Sequence, residues 1–307
     1  MVGYLFAGQG SQYIGMGKDL YEAFPESKAV FDRADQVLGF SLSKIIFEGQ
    51  KEELTKTENA QPAILTMTIA CWEAALAAGV LKPDVCDYAA GLSLGEYSAL
   101  VAVGAVAFKD ALNLVRRRGE FMEEEAAKRP GKMLSVIGLD LPAVKELCAQ
   151  TNTEVANINS PGQIVISGGI KEIEQAQALA QEKGAKRVIS LEVSGAFHSS
   201  FMQGACVKLA KELEKVRFSK PRFPLISNVT AKVVTDPGEI KDNLVRQISS
   251  SVLWEDSMKF MLSKGVVNFI ELGPGKVLKG LMRRINENTA VNNIEKKEDI
   301  IGLGEKR

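Results

Sequence analysis

The segment between residues 131 and 195 constrains the fold most, because its strands and helices alternate in a symmetric order. It reads as strand, helix, strand, strand, helix, strand in the blocks KMLSVIGL, LPAVKELCAQT, TEVANINS, GQIVISG, IKEIEQAQALAQEKG and KRVISLEV. This β-α-β-β-α-β order is typical of the split ferredoxin-like motif. The blocks KRPGK and SGAFHSS mark its two ends. We therefore predict a small inserted ferredoxin-like domain over residues 128–197.

The flanking residues, 1–127 and 198–307, predict a larger α/β domain. VGYLFAG, residues 88–90, PLISNVTA and VVNFIELGPG read as short apolar strands, with helical periodicity between them. Strands that alternate with helices favour a mostly parallel sheet.

Two further expectations concern single segments of this larger domain. Residues 62–79 are almost wholly apolar and predict a buried helix that begins at Pro62 and ends at Gly79. The polar final stretch, NENTAVNNIEKKEDIIGLGEKR, is expected to be partly frayed.

Composition excludes several classes of function. The chain has 38 basic and 38 acidic side chains, which argues against a global attraction to nucleic acid or to an anionic membrane. Its four cysteines lack C-x-x-C spacing and have no nearby histidine, so neither a metal site nor a disulfide framework is predicted. No signal peptide and no long apolar run is visible. We expect a soluble, cytoplasmic, monomeric protein.

One serine lies at a predicted strand-to-helix turn. In GLSLGEYSAL, residues 91–100, Ser93 stands between Gly91 and Gly95, as in a nucleophile elbow. Glycines leave room there for close backbone packing. The amide of Leu94 would lie at the helix N-terminus, where it can stabilise an oxyanion. The alternative is a small-residue turn that merely closes a buried strand.

A serine nucleophile needs a base, and the chain contains one histidine. His198 follows the last strand of the predicted insertion, in a turn of small residues. The alternative is a surface or core histidine without a catalytic role. No acidic residue lies close in sequence, so the partner of Nδ1 is either a backbone carbonyl or a distant carboxylate.

Two other segments offer groups to the same site. Glycines around residues 8–10 would let Gln9 approach the active centre from the end of the first strand. Among the arginines 116–118, spacing pairs Arg116 with Glu120 on a solvated helix face. One of the three can turn inward and hold a carboxylate with its planar fork, and periodicity does not choose which.

Six motifs together carry a resemblance to a known family. They are FAGQGSQ at 6–12, GLSLGEYSAL at 91–100, RRG at 117–119, NSPGQIVISG at 159–168, GAFHS at 195–199 and ELGPGKVL at 271–278. In this order they resemble the malonyl-CoA:acyl carrier protein transacylases. The resemblance implies an α/β-hydrolase-like large domain with a mostly parallel sheet, plus an inserted ferredoxin-like small domain.

The resemblance also implies roles for individual residues. Ser93 would form a malonyl ester and His198 would act as base and acid. Gln9 and the amide of Leu94 would form the oxyanion hole, and Arg118 would hold the malonyl carboxylate. The main-chain carbonyl of Gln247 would orient the histidine, which explains the missing acid. Phe197 resembles the bulky residue of malonyl-selective members.

The implied reaction is ping-pong malonyl transfer from malonyl-CoA to the phosphopantetheine thiol of acyl carrier protein, with no cofactor, in fatty acid or polyketide synthesis. Leu92 stands where the family usually carries histidine, which leaves open a relative serving a polyketide assembly line or hydrolysing stalled acyl groups. Acidic carrier proteins predict a basic rim. Candidates for that rim, or simply for a solvated helix face, are Lys276, Lys279, Arg283 and Arg284.

Two other functions remain open at this point. An esterase or thioesterase would use the same elbow but release its acyl group to water. A non-catalytic binding module would use the ferredoxin-like domain as a docking surface.

Overall fold

The computed structural model describes residues 1–82 and 86–305, and the strands of that part of the chain form two sheets. In chain order these strands are Val2–Phe6 (β1), Tyr88–Gly91 (β2), Gly131–Ile137 (β3), Glu154–Ser160 (β4), Gln163–Gly169 (β5), Arg187–Ser190 (β6), Leu225–Ile226 (β7), Val233–Val234 (β8), Asn268–Leu272 (β9) and Ala290–Ile294 (β10). The first helices are Lys18–Ala23 (α1), Pro25–Leu38 (α2), Leu42–Glu48 (α3), Lys51–Thr55 (α4), Thr57–Ala77 (α5), Gly95–Ala102 (α6) and Phe108–Lys128 (α7). The later ones are Leu141–Thr151 (α8), Ile170–Glu182 (α9), Gln203–Glu214 (α10), Pro237–Gln247 (α11), Trp254–Ser263 (α12), Val277–Ile285 (α13) and Lys297–Gly304 (α14).

The larger sheet has the strand order β10-β9-β1-β2-β7-β8, and every neighbouring pair except β7–β8 is parallel. The prediction of an α/β fold with a mostly parallel sheet is thus confirmed. In the register of the central pair, Phe6 lies opposite Gly91. Because parallel strands end at the same edge of a sheet, the loops that follow β1 and β2 emerge side by side. Gln9 and Ser93 lie on these two loops.

The second sheet has the order β4-β5-β3-β6 and is antiparallel throughout. Its strands and the helices α8 and α9 follow one another as β-α-β-β-α-β, and they enclose a hydrophobic cluster of their own around Leu134, Leu147 and Ile166. The limits assigned to an inserted domain, residues 128 and 197, stay a prediction.

Helix α5 lies in the core of the large domain, with most of its side chains buried. It begins at Thr57, so the prediction of a start at Pro62 is wrong. Proline lacks the N–H that would bond to the carbonyl of Glu58, one turn earlier. That carbonyl accepts instead from Arg116 Nη1, at 2.9 Å. A tertiary hydrogen bond thus replaces the one that proline removes.

The C-terminal stretch is ordered up to residue 305, against the expectation of fraying. Strand β10 pairs in parallel with β9, and Ile300 on α14 is 1% exposed. Residues 306–307 lie outside the described part of the chain. Across the residues that the structure does describe, no helix has both the length and the apolar character to cross a membrane.

Candidate active site

Ser93 lies on a tight turn between β2 and α6. Its φ of 51° is in the left-handed region, which non-glycine residues seldom adopt. A Cβ on Gly91 would collide with the backbone of Gly95, and one on Gly95 would collide with the carbonyl of Phe6. Both glycines are therefore needed for the turn. Its strained backbone is held by Asn228, whose Oδ1 accepts from the Ser93 amide at 2.6 Å.

His198 lies beside this serine. The hydroxyl of Ser93 is 2.8 Å from Nε2, so the two residues meet although 105 positions separate them in the chain. On the other side of the ring, Nδ1 is 2.7 Å from the main-chain oxygen of Gln247. Ser167 and Ser199 fix the surrounding loop, because their hydroxyls donate to the carbonyls of Phe197 and Ala196, each at 2.6 Å.

The protonation of His198 follows from these partners. A carbonyl oxygen only accepts, so Nδ1 carries the proton and Nε2 presents its lone pair to the serine hydroxyl. Burial, and secondarily the positive charge of Arg118, lowers the pKa of His198 to about 4. The imidazole is therefore neutral at physiological pH and can accept a proton from Ser93.

Arg118 is the arginine that turns inward. It is 1% exposed, and its Nη2 donates to Ser93 Oγ at 3.3 Å and to Gln247 Oε1 at 3.1 Å. Its Nε has no hydrogen-bond partner in the described structure. Arg116, by contrast, pairs with Glu120 at 2.8 Å and Arg117 is half exposed. Burial lowers the pKa of Arg118, and a buried guanidinium with an unused donor is suited to binding an anion.

Gln9 and Leu94 are the two residues predicted to form an oxyanion hole. Gln9 lines the cavity, and its Nε2 lies 3.4 Å from Thr57 Oγ1. Leu94 is the residue that precedes α6, so its amide belongs to the group of N–H donors that a helix start leaves unpaired. Their role in an oxyanion hole stays a prediction.

The cavity beside Ser93 lies between the two sheets and has a volume of about 170 Å³. Leu92, Phe197 and other apolar side chains line it, and Val277 and Leu281 contribute from α13. Its polar lining includes three residues that sequence reasoning missed: Asn157, Asn159 and Gln163. The only signal for Asn159 and Gln163 was the motif NSPGQIVISG, to which no role was attached, and Asn157 lies outside that motif.

Glu96 and Asn228 were also missed. Glu96 is 2% exposed, and burial raises its pKa to about 7. Its position in a helix of otherwise small and apolar residues was a signal, because a carboxylate is rarely buried without partners. Asn228 gives no signal in the sequence, since it acts only through contacts made in the folded chain.

Comparison with known proteins gives consistent matches over nearly the whole chain. Residues 3–304 match the family described as acyl transferase domain. A malonyl CoA-acyl carrier protein transacylase of Bacillus subtilis is 49% identical, over 93% of this chain and 90% of the relative. The Escherichia coli K12 protein of the same name is 41% identical, over 92% of each chain.

Solved structures agree with these sequence matches. The acyl-carrier-protein-S-malonyltransferase of Bartonella henselae superposes with a TM-score of 0.95 and 40% identity, over 99% of both chains. A malonyl-transacylase in complex with its type II PKS acyl-carrier protein, PlMCAT:AntF, gives a TM-score of 0.96 and 37% identity, over 100% of this chain and 99% of that one.

Proposed function

The chain belongs to the acyl transferase family, and from this premise we propose that it moves a malonyl group from malonyl-CoA to the phosphopantetheine thiol of acyl carrier protein. One observation carries the proposal. A serine hydroxyl lies 2.8 Å from a neutral imidazole and 3.3 Å from a buried guanidinium, and the serine and the imidazole line one cleft. Nucleophile, base and carboxylate receptor are thus within reach of one small acyl group.

In the first half-reaction, Ser93 Oγ attacks the thioester carbonyl while its proton passes to His198 Nε2. The tetrahedral intermediate collapses, the carbon–sulfur bond breaks, and the proton on Nε2 goes to the departing CoA sulfur. A malonyl ester of Ser93 remains. The carbonyl of Gln247 stabilises the imidazolium that forms in between, because it accepts from Nδ1 at 2.7 Å.

In the second half-reaction, the thiol of the carrier protein gives its proton to His198 and attacks the ester carbonyl. The bond to Ser93 Oγ breaks, and the serine recovers its proton from Nε2. In both half-reactions the amide of Leu94 and Gln9 would donate to the negatively charged oxygen. The start of α6 favours negative charge at that position, which supports this assignment.

Selectivity for malonyl follows from the burial of Arg118. A free carboxylate on the acyl group would pair with the guanidinium, whereas an uncharged acyl group leaves it without a counter-ion. Phe197 would crowd an α-methyl branch. Leu92, in place of the usual histidine, adds a further apolar wall to the cavity.

The carrier protein would dock at the mouth of the cleft beside α13. Lys276, Arg283 and Arg284 line a groove there that shares Val277 and Leu281 with the cavity beside Ser93. Basic side chains next to the entrance suit an acidic partner. Service in fatty acid or polyketide synthesis, a monomeric state and a cytoplasmic location stay predictions.

The test is intact-protein mass spectrometry after brief mixing with malonyl-CoA. Wild type should gain one malonyl group, and Ser93→Ala should gain none. Adding acyl carrier protein should discharge the adduct onto the carrier faster than water does. Rapid release to water without transfer would instead identify a hydrolase, and an unmodified wild type would reject the proposal.

A further inference from the structure

Glu96 is a buried charge that the mechanism above does not use. It is the second residue of α6, three positions after the serine, and is 2% exposed. Among the residues that the structure describes it forms no salt bridge. Burying a carboxylate without an ion pair is costly unless hydrogen bonds compensate. The hydrogen bonds of Glu96 must therefore compensate for the cost of its burial, or the carboxylate must be needed to hold the groups that it contacts.

Those partners are the side-chain amide of Gln247 and the main-chain N–H of Asn228. Glu96 Oε2 accepts from Gln247 Nε2 at 2.7 Å and from the main-chain N–H of Asn228 at 3.2 Å. Gln247 lies at the end of α11, and Asn228 follows β7. One oxygen atom thus joins the start of the helix behind the nucleophile to two other elements.

Gln247 contacts three functional groups through different atoms. Its main-chain oxygen holds His198 Nδ1, and its Oε1 accepts from Arg118 Nη2 at 3.1 Å. Its Nε2 also donates to the main-chain oxygen of Ser93, at 3.1 Å. The base, the anion receptor and the nucleophile are thereby linked through one residue.

Asn228 holds the nucleophile elbow from the other side. Its Oδ1 accepts from the amide of Ser93 at 2.6 Å, and its Nδ2 donates to the carbonyl of Gly91 at 2.7 Å. These two bonds clamp the residues that carry the left-handed turn. The bond from its own N–H to Glu96 fixes where Asn228 lies.

The orientation of the Gln247 amide depends on Glu96. Oε2 of Glu96 accepts the hydrogen bonds from both Gln247 and Asn228, so it requires the NH₂ group of Gln247 to face it. The amide oxygen is then forced toward Arg118, which only donates. Without the carboxylate, the amide keeps its contacts with Arg118 and the Ser93 carbonyl but loses its shortest hydrogen bond, so its orientation is held less firmly.

We propose that Glu96 is a positioning residue for acyl transfer, acting through Gln247 and Asn228 on the base, the arginine and the nucleophile. This inference rests on the proposed function. The charge of Glu96 also compensates that of Arg118 across the amide. Removing Glu96 therefore changes the affinity of the guanidinium for an anion.

The experiment compares Glu96→Ala and Glu96→Gln with a matched control, Glu271→Gln. Glu271 is also fully buried, and burial raises its pKa to about 7. Its carboxylate accepts from the N–H groups of Leu278 and Lys279 at the start of α13. The control therefore removes a similar buried charge at a helix start without touching Gln247.

Two readouts are taken on each folded variant. One is the single-turnover rate of Ser93 acylation, with malonyl-CoA and with acetyl-CoA. The other is the imidazole signal in protein labelled with ¹⁵N-histidine, which is unambiguous because the chain has one histidine. The signal reports the Nδ1–H bond to Gln247 directly and requires no substrate.

We expect Glu96→Ala to lower malonylation about 100-fold and to shift the Nδ1–H signal, since a buried amide loses a charged partner. Glu96→Gln keeps one acceptor oxygen and should lose only about 10-fold. The malonyl-to-acetyl ratio should change in both variants. Glu271→Gln should keep the wild-type signal and ratio.

Three results would overturn the proposal. In the first, both Glu96 variants acylate within threefold of wild type. In the second, their acylation rates fall while the ¹⁵N signal and the malonyl-to-acetyl ratio stay unchanged, and in the third, Glu271→Gln changes the rate, the signal and the ratio as the Glu96 variants do. If Glu96→Ala does not fold, Glu96→Gln alone is judged by these criteria. Failure of the proposed function is distinguishable, because wild type itself would then remain unacylated while the ¹⁵N signal still tests the contact.

Discussion

At the scale of single residues, Arg118 is the proposed receptor of the malonyl carboxylate, and its substitution tests malonyl selectivity. Arg118→Met should lower the kcat/KM for malonyl-CoA at least about 100-fold, because the substrate carboxylate would be buried without its partner. Acetyl-CoA does not need the guanidinium, so its acylation rate should be kept or rise. Acyl-enzyme formation with both thioesters measures this.

Arg117→Met is the matched control for that change. It removes the adjacent arginine, whose side chain is half exposed and pairs with Glu120. Arg117 does not line the cavity and its exposed ion pair contributes little to stability, so both acylation rates should stay close to wild type. An unchanged malonyl preference in Arg118→Met would show that another group binds the carboxylate.

Single residues also show which parts of the site could be predicted from the sequence. Ser93 and His198 were predictable because each had one candidate and a local pattern to place it. The choice of Arg118 among three adjacent arginines needed the family resemblance, since helical periodicity allowed each to turn inward. Glu96 was marked by its position in an otherwise small and apolar helix, but its partners and the role of Asn228 were out of reach, because they depend on distances between elements far apart in the chain.

At the scale of elements, the contact between β1, β2 and α6 sets the geometry of the turn at Ser93. Gly95 packs so closely on β1 that an added Cβ would collide with the carbonyl of Phe6, a backbone atom that cannot rotate away. Gly95→Ala should therefore push α6 outward, destabilise the fold by about 3 kcal/mol and abolish acylation of Ser93.

Gly280→Ala controls for the loss of a helical glycine. Gly280 lies exposed within α13, and an added Cβ there meets nothing within 4 Å. This substitution should stabilise the protein by about 0.5–1 kcal/mol, because alanine is the better helix former. Urea unfolding of both variants provides the comparison, and equal effects would contradict the steric argument.

Element boundaries were harder to predict than element types. The helix through Pro62 begins five residues earlier than its sequence indicates, because Arg116 satisfies the carbonyl that proline leaves free. Strand β10 was missed since two asparagines interrupt its apolar residues within a polar stretch, and its pairing with β9 fixes it instead. In both cases a distant partner outweighs the local pattern.

At the scale of the whole molecule, the active site lies where loops of the parallel sheet meet the antiparallel one, and its groups are deeply buried. The order of strands and helices along the chain allowed both sheets to be predicted. How the two sheets pack against each other depends on tertiary contacts, and no local sequence pattern predicted it. Burial shifts titratable groups in opposite directions. The pKa of His198 falls to about 4, and that of Glu271, on β9, rises to about 7.

These opposite shifts predict opposite effects of pH on stability. Between its ordinary value of 4.5 and about 7, Glu271 holds its proton in the folded state and releases it on unfolding, so its contribution to stability is lost as pH rises. His198 is neutral when folded and protonated when unfolded between about 4 and 6.5. Stability due to His198 is therefore lost as pH falls through that window.

The prediction is measured by urea unfolding of wild type, Glu271→Gln and His198→Gln between pH 4.5 and 7. The free energy of unfolding of wild type minus that of Glu271→Gln should fall by up to about 3 kcal/mol as pH rises. The corresponding difference for His198→Gln should rise over the same range. General acid denaturation acts on all three proteins alike and cancels in each difference, so two slopes of the same sign would contradict the burial of these groups.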